Sequence, residues 1–213
     1  MSKENGKQRN LVVLEQTLPI QELHTILRNK ETEDSDFVFC ADRLIRIVIE
    51  LGLNQLPYQK STIITPTGYE YSGIEFHHGN IGVSVCRSGE LMELSLRLLC
   101  RSIRIGKILI SDEQELLYTR LVADINKRRV LLLYPVLSTG ITVSNAIKHL
   151  LEMRVRQSNI YLITLFATQK FKWIYSLLCL TELLSRYPSI TIVTSQICEK
   201  APTFFTQKYF GTD

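Results

Sequence analysis

The stretch Val130-Leu-Leu-Leu-Tyr-Pro-Val-Leu-Ser-Thr-Gly-Ile-Thr142 indicates the fold class of this chain. Its first four residues are apolar, as in a strand that a parallel sheet buries on both faces. The loop Tyr134 to Gly140 follows, and the pattern predicts a helix from there through about Glu152. The stretch is therefore read as a buried strand, a polar turn and a helix in direct succession.

The turn of this stretch carries groups that suit an anion. Ser138, Thr139 and Thr142 supply hydroxyl donors, and Gly140 lets a ligand approach the backbone closely. The first turn of the predicted helix has unpaired N–H groups, and the helix dipole favours negative charge there. A Ser-Thr-Gly sequence is also common where a side chain simply caps a helix, so that alternative stands beside the anion site.

Strands and helices alternate outward from this point, between residues 81 and 193. Such alternation is typical of an α/β fold in which helices cover both faces of a mostly parallel sheet. An alternating apolar pattern at residues 116–121 predicts a strand that pairs at the edge of the sheet. The other predicted strands are 81–86, 105–110, 160–166 and 190–193, and the predicted helices are 91–101 and 172–186.

The two ends of the chain show a weaker pattern. We expect residues 1–15 to be a disordered start and residues 16–213 to form a single domain, with an irregular final segment from Cys198 to Asp213. Gly52 is expected to stop the second helix. The predicted N-terminal elements are helices at 21–29 and 37–51, and short strands at 62–65 and 69–76 joined at Pro66-Thr67-Gly68.

Composition restricts the classes of function. The 213 residues are 45% hydrophobic and 22% charged, with a net charge of +4, which is typical of a globular protein. The basic residues form no long block, so we expect no nucleic-acid partner. The N-terminus has no apolar secretion signal, and the longest apolar stretch, 173–184, is too short to span a bilayer. We therefore expect no membrane association, and a location in the cytoplasm, with the nucleus as a second compartment.

Cysteine and histidine spacing gives no indication of a metal site. The five cysteines have no C-x-x-C spacing, which argues against a disulfide framework or a zinc site. His77 and His78 are adjacent on a predicted turn, with no carboxylate or thiolate at ligand spacing. We expect both imidazoles to be solvated and no side chain of the chain to bind a metal.

Several stretches, in the same order along the chain, resemble one family of enzymes. Ser84–Glu90 is similar to the I-x-R-A-G-E loop of the uracil phosphoribosyltransferases, and 130–142 resembles the phosphoribosyl-pyrophosphate loop of the type I phosphoribosyltransferases. The similarity covers roughly residues 20–213 and is greatest to the animal homologues of the enzyme. The other matching stretches are Asp36–Phe39 with Asp42–Arg46, Arg104–Ile110 and Tyr209–Asp213.

The resemblance implies a type I phosphoribosyltransferase fold and a reaction of pyrimidine salvage, in which uracil and phosphoribosyl pyrophosphate give UMP and pyrophosphate. It implies Mg²⁺ accompanying the pyrophosphate, and a homodimer, for which the apolar region Ile105 to Leu121 supplies a surface. It assigns to the phosphoribosyl-pyrophosphate site Arg87, Ser88, Gly89, Ser111, Leu137, Ser138, Thr139, Gly140, Ile141 and Thr142. It assigns to uracil Phe204, Phe205 and Thr206, and to GTP, which activates some relatives, Arg43, His77, His78, Gly79 and Asn80.

The sequence departs from the active members of this family at four places. Tyr134 stands where they carry an aspartate that accepts hydrogen bonds from the ribose hydroxyls, so no residue is assigned as catalytic. Ser111 replaces an arginine near the pyrophosphate. The tail Glu199–Lys208 lacks the glycines and aspartates that surround the pyrimidine, and Thr168–Leu180 replaces a short Pro-x-Gly turn. For that last stretch, a helix burying Trp173 and Leu177 and a partner-binding surface both remain open.

Two hypotheses of different classes follow. In the first, the chain is a homologue that binds nucleotides or phosphoribosyl pyrophosphate with weak or absent catalysis. In the second, it is an active, divergent uracil phosphoribosyltransferase. A weaker third hypothesis is turnover of another base or acceptor, since the tail determines base choice. Titration with phosphoribosyl pyrophosphate followed by a UMP assay separates the first two.

Overall fold

The computed structural model describes residues 10–168 and 180–212. The strands of its main sheet are β1 (Leu11–Val13), β4 (Asn80–Cys86), β5 (Arg104–Ile110), β6 (Leu116–Arg120), β7 (Arg129–Leu133), β8 (Val136–Leu137), β9 (Ile160–Thr168) and β10 (Thr191–Cys198). Seven of them lie in the order β1-β10-β9-β7-β4-β5-β6, and the short strand β8 pairs with β9 beside them. All neighbours are parallel except β5 and β6, which run antiparallel at one edge.

Helices cover both faces of this sheet, as the sequence predicted. Along β7, Val130 and Leu132 point into one apolar core, and Leu131 and Leu133 point into the other. The helices are α1 (Leu18–Arg28), α2 (Asp34–Leu53), α3 (Glu93–Leu99), α4 (Ile141–Glu152), α5 (Leu180–Arg186) and α6 (Phe205–Phe210). The first core also contains residues of α4 and α5, and the second contains residues of α1, α2 and α6. Short 3₁₀ helices span Ser88–Met92, Ile125–Lys127 and Gln157–Asn159.

The prediction that Gly52 stops the second helix is wrong, because α2 continues through it to Leu53. Gly52 is buried, and a Cβ there would lie 2.4 Å from Cδ1 of Ile163 on β9. The glycine therefore allows close packing of α2 on the sheet. The single helix predicted at 91–101 is also divided, into the 3₁₀ helix at Ser88–Met92 and then α3.

A two-stranded antiparallel hairpin, β2 (Tyr58–Ile64) and β3 (Glu70–Phe76), lies outside the main sheet. The predicted turn joins its strands, with Gly68 at a φ of 84° that favours glycine. The first of the two strands was predicted at 62–65, but β2 begins earlier, at Tyr58. Nearly all side chains of both strands are exposed, so no buried face imposes an alternating pattern on the sequence.

Both ends of the described chain are more ordered than expected. Residues 11–13, placed in the disordered start, form β1 and pair in parallel with Ile192–Thr194. The final segment is not irregular throughout, because Phe205 anchors the short helix α6 in the core. Both errors arise because the stabilising partner is distant in sequence.

The predicted helix 172–186 is described only from Leu180 to Arg186. Most of the stretch Thr168–Leu180, including Trp173 and Leu177, lies outside the described residues. Within the described ranges, no helix combines the length and the apolar character needed to cross a membrane.

Candidate functional site

The loop between β7 and α4 lies at the carboxyl edge of the parallel sheet. Its β8 residues pair with Phe166 and Ala167 of β9, which fixes the loop on the sheet. Gly140 precedes the first residue of α4 with φ 74° and ψ −1°, a left-handed conformation that favours glycine. The predicted strand, turn and helix are therefore confirmed at this position.

The amino end of α4 has open hydrogen-bond donors. The Ile141 amide donates to Thr139 Oγ1 over 3.5 Å, which is a weak contact. Among the described residues, none accepts a hydrogen bond from the amide of Thr142 or Val143. Together with the half-exposed hydroxyls of Ser138 and Thr139, these amides form a set of donors suited to a phosphate.

The loop is held from the side of β9 by hydrogen bonds to its carbonyl groups. Thr168 Oγ1 donates to Ser138 O at 2.7 Å, and the Leu165 amide donates to Pro135 O at 2.8 Å. Thr164 Oγ1 donates to the same Pro135 carbonyl at 3.1 Å. These three hydrogen bonds fix the loop through its carbonyl groups and use no amide or hydroxyl donor of the turn.

A second loop, Arg87 to Gly89, follows β4 and lies directly against the end of β7. A Cβ on Gly89 would lie 2.4 Å from the backbone oxygen of Leu133, so only glycine allows this approach. The peptide bond between Cys86 and Arg87 is cis. The structure thus brings the predicted pyrophosphate loop next to Tyr134 and the predicted phosphate loop.

A polar cluster that the sequence analysis missed lies behind this second loop. Lys107 Nζ contacts Glu90 Oε1 at 2.5 Å and Glu93 Oε1 at 3.3 Å, and Ser84 Oγ donates to the same Glu93 oxygen. The hydrogen bond with Glu90 raises the pKa of Lys107, so the amine is charged at neutral pH. Ser84 and Lys107 are partners in the register of β4 and β5. The cluster depends on that register, which the sequence of neither strand indicates by itself.

Tyr134 occupies the first position of the phosphate loop and is half-buried. Burial raises the pKa of its phenol, although a hydrogen bond with Thr142 acts in the opposite direction. Its side chain is therefore neutral at pH 7 and lacks the negative charge of a carboxylate.

The turn between β5 and β6 reaches the amino end of α4. Thr142 Oγ1 donates to Gln114 Oε1 at 3.3 Å, and Asn145 Nδ2 donates to Gln114 O at 3.1 Å. Ser111 lies in the same turn, where its hydroxyl accepts the Glu115 amide at 3.2 Å. Ser111 is thus near the phosphate loop, and its hydroxyl oxygen already accepts one hydrogen bond within its own turn.

The predicted uracil residues lie at the start of α6, which packs on α2 and contacts the 3₁₀ helix of the second loop. Phe205 is fully buried, with its ring centroid 5.2 Å from that of Phe37 and 5.6 Å from that of Phe166. Phe204 is 41% exposed and Thr206 is half-buried. Phe205 therefore has a core role in this structure, whereas Phe204 and Thr206 retain surface that a ligand can contact.

The predicted GTP residues are not brought to the two loops. The turn His77–Gly79 leads into β4, whose first residue is Asn80, so these residues lie at the amino edge of the sheet, and both loops lie at the carboxyl edge. His77 and His78 are exposed, as expected, and Gly79 has a φ of 95°. Arg43 is exposed on α2, and no hydrogen bond or ion pair among the described residues joins it to this turn.

Comparison with known proteins identifies the family of this chain. A family model described as "Uracil phosphoribosyltransferase" matches residues 13–202. The "Uracil phosphoribosyltransferase homolog" of Danio rerio is 50% identical over 199 residues, which cover 91% of this chain and 74% of that protein. The "Uracil phosphoribosyltransferase" of Dictyostelium discoideum is 44% identical over 193 residues, covering 88% and 86%.

Among solved structures, the AQ2163 protein of Aquifex aeolicus superposes with a TM-score of 0.69 at 15% identity. The match covers 88% of this chain and 86% of that one. At this identity the similarity concerns the fold alone.

Proposed function

Because the chain belongs to the uracil phosphoribosyltransferase family, we propose that it binds phosphoribosyl pyrophosphate through the two loops at the carboxyl edge of the sheet and forms UMP slowly or not at all. Its fold is that of the type I phosphoribosyltransferases. The binding half rests on one observation. Gly89 lies against Leu133 at the end of β7, and this contact brings the Arg87 loop next to the amides at the start of α4. One loop would hold the 5′-phosphate, and the other would hold the pyrophosphate.

The catalytic half of the proposal rests on Tyr134. The departure of pyrophosphate leaves positive charge on the anomeric carbon of the ribose, and a nearby carboxylate would stabilise that charge. Tyr134 is a neutral phenol at pH 7, since burial raises its pKa. Loss of one electrostatic stabiliser typically costs about 10²–10³ in rate.

The tail adds to this loss. The family's glycines let backbone groups reach the pyrimidine edge, whereas here the segment before α6 reads Glu199-Lys-Ala-Pro-Thr-Phe204. Phe205 is buried in the core, so of the three predicted residues only Phe204 and Thr206 have surface with which to contact a base. Poorer positioning of uracil lowers the rate further.

Mg²⁺ would arrive with the substrate, whose pyrophosphate oxygens supply its ligands.

Isothermal titration with phosphoribosyl pyrophosphate and Mg²⁺ tests the binding half. Thr139→Val and Arg87→Ala should each weaken binding by roughly tenfold or more, because a charge-assisted contact contributes about 1.5–3 kcal/mol. Thr119→Val makes the same change on the exposed strand β6 and should leave the affinity unchanged. Equal affinities for all four proteins would contradict the proposed site.

A UMP-formation assay with the unmodified chain tests the catalytic half. Activity near the assay floor is expected, and Tyr134→Asp alone should rescue little because uracil positioning is still impaired. The alternative function is that of an active uracil phosphoribosyltransferase, and the 44% identity to the Dictyostelium protein of that name favours it. Turnover of about 1 per second or faster would establish the alternative and refute weak catalysis.

We also propose that two copies of the chain form a homodimer. The apolar region predicted for this contact includes β6, where Leu116, Leu117 and Tyr118 are 45%, 62% and 51% exposed. Burial of such side chains against a second copy would be favourable. Light scattering at micromolar concentration should give twice the mass of one chain, and a monomeric mass would contradict the dimer.

A GTP site at Arg43 and His77–Asn80 is a further part of the proposal. Gly79 has an open, left-handed backbone, and Arg43 is an exposed cation without an ion pair among the described residues. In isothermal titration with GTP, Arg43→Gln should abolish the heat signal and Thr139→Val should preserve it.

Fluorescence microscopy of the tagged chain in cells would test the proposed location in the cytoplasm and nucleus.

A further inference from the structure

Lys107, on β5, is paired with the acidic side chains that follow the Arg87–Gly89 loop. Its Nζ lies 2.5 Å from Glu90 Oε1 and 3.3 Å from Glu93 Oε1. Glu90 belongs to the 3₁₀ helix that begins at the end of the loop, and Glu93 is the first residue of α3. Among the described residues, no other cation forms an ion pair with either carboxylate. The charge of Glu90 is therefore compensated by Lys107.

Glu90 is also placed where it could pair with Arg87. Arg87 is the N-cap residue of the 3₁₀ helix, and the Glu90 amide donates to Arg87 O at 3.0 Å. Side chains three residues apart in a 3₁₀ helix lie one above the other, which brings the Glu90 carboxylate within reach of the Arg87 guanidinium. In this structure the carboxylate contacts Lys107 instead.

Arg87 itself has no acidic partner. Its side chain is exposed, and no carboxylate within residues 10–168 and 180–212 forms an ion pair with it. A guanidinium without a carboxylate can bind two phosphate oxygens at once. The contact between Lys107 and Glu90 thus leaves the donors of Arg87 free for an anion.

We propose that Lys107 is a positioning residue for phosphoribosyl pyrophosphate, which acts by holding the Glu90 carboxylate away from Arg87. This role rests on the proposed function, because it concerns the same pyrophosphate loop. Without the Lys107 amine, Glu90 would pair with Arg87, and its uncompensated charge would repel the pyrophosphate.

The size of the effect follows from these two contributions. The Glu90 side chain is 35% exposed, so values for solvated groups apply. A solvated ion pair shifts an equilibrium by up to about fivefold, and repulsion between unit charges about 4 Å apart in water is of similar size. A competing internal contact lowers the apparent affinity by the fraction of the protein that it occupies. Loss of the Lys107 amine should therefore weaken binding by roughly tenfold.

Isothermal titration with phosphoribosyl pyrophosphate and Mg²⁺ tests this role. Lys107→Met, which removes the charge and keeps an unbranched side chain, should weaken binding by roughly tenfold. Glu90→Gln should not weaken it, since no carboxylate then competes for Arg87. The double variant Lys107→Met/Glu90→Gln should regain most of the lost affinity. A purely structural role predicts the opposite, because both single variants break the same contact and would weaken binding alike, without recovery in the double variant.

Two controls locate the effect at Glu90. Lys107→Met/Glu93→Gln removes the other carboxylate of the cluster, which lies two 3₁₀ turns from Arg87, and should regain much less affinity. Lys127→Met makes the same change at an exposed lysine before β7, at the amino edge of the sheet, and should leave the affinity unchanged. Circular dichroism checks the fold of each variant. If Lys107→Met does not fold, Lys107→Gln provides the same test with a polar side chain.

A measurement on the free chain separates the role of Lys107 from the proposed function. ¹H–¹⁵N NMR of the Arg87 Nε–Hε group at mildly acidic pH, assigned by its loss in Arg87→Ala, reports ion pairing without a ligand. Its resonance should shift in Lys107→Met and return in the double variant. Failure of the unmodified chain to bind phosphoribosyl pyrophosphate would refute the proposed function, while this resonance would still decide the role of Lys107. An Arg87 resonance that Lys107→Met leaves unchanged would overturn that role, as would a double variant that binds as weakly as Lys107→Met.

Discussion

Replacing Gly89 by alanine tests how closely the pyrophosphate loop must lie against β7. The added Cβ would lie 2.4 Å from Leu133 O and 3.3 Å from Ser84 Cα, whereas ordinary contacts begin near 3.4 Å. Both neighbours are backbone atoms within a parallel sheet, so neither moves without disturbing its strand. The loop itself must shift by about 1 Å, and overpacking of this kind costs typically about 1–3 kcal/mol.

Gly52→Ala is a matched control for this change. Its Cβ would also meet an atom at 2.4 Å, but that atom is Cδ1 at the end of the Ile163 side chain, which can change rotamer. Alanine also favours the helix interior over glycine by about 1 kcal/mol, which offsets part of the crowding. Gly52→Ala should therefore change the free energy of unfolding by less than Gly89→Ala does.

Urea unfolding followed by circular dichroism, with a thermal scan, measures both variants. Gly89→Ala should lose about 1–3 kcal/mol, which corresponds to roughly 2–4 °C in Tm for each kcal/mol at this chain length. Titration with phosphoribosyl pyrophosphate should show a loss of affinity for Gly89→Ala alone. Wild-type stability in Gly89→Ala, or a larger loss in Gly52→Ala, would refute the reasoning about the rigid backbone contact.

Three further perturbations follow from the packing. Phe205→Ala should lower the free energy of unfolding by about 3–5 kcal/mol, measured in urea, because a fully buried ring is removed; the same change at the 41%-exposed Phe204 should cost much less. Tyr209→Phe should lower stability by about 1.5–3 kcal/mol in the same assay, since its hydroxyl donates to Asp42 Oδ1 at 2.7 Å. Burial, and next the charge of Arg28, lower the pKa of His24 to about 4, so the unfolded chain takes up a proton first as pH falls below 6.5. Stability should therefore decrease by about 2 kcal/mol more between pH 7 and pH 5 in the wild type than in His24→Gln, and parallel curves would contradict this assignment.

The central part of the fold could be predicted from local sequence because each signal lies within one element. Val130–Leu133 is apolar at every position, and the hydroxyl and glycine residues after it are those a phosphate loop needs. Alternation from residue 81 onward then gave the parallel sheet and its edge strand β6.

The features that could not be predicted depend on partners distant in the chain. Leu11–Val13 is a strand because β10 accepts it nearly the full length of the chain away, and no neighbouring residue indicates this. The Glu90–Lys107 pair requires the register of two strands. The hydrogen bond from Gln16 Nε2 to Ser195 O likewise joins residues far apart in the chain.

The aromatic contacts of Phe205 also determine when the protein can finish folding during synthesis. Its ring closes over Phe37 from α2 and Phe166 from β9, and β1 cannot pair until β10 exists. A nascent chain still lacking these C-terminal residues has α1 and α2 complete, yet an uncovered apolar face and an unpaired first strand. Contacts between residues so far apart in sequence form slowly, and exposed apolar surface invites aggregation and chaperone binding. The ribosome must therefore release almost the whole domain before its second core can close.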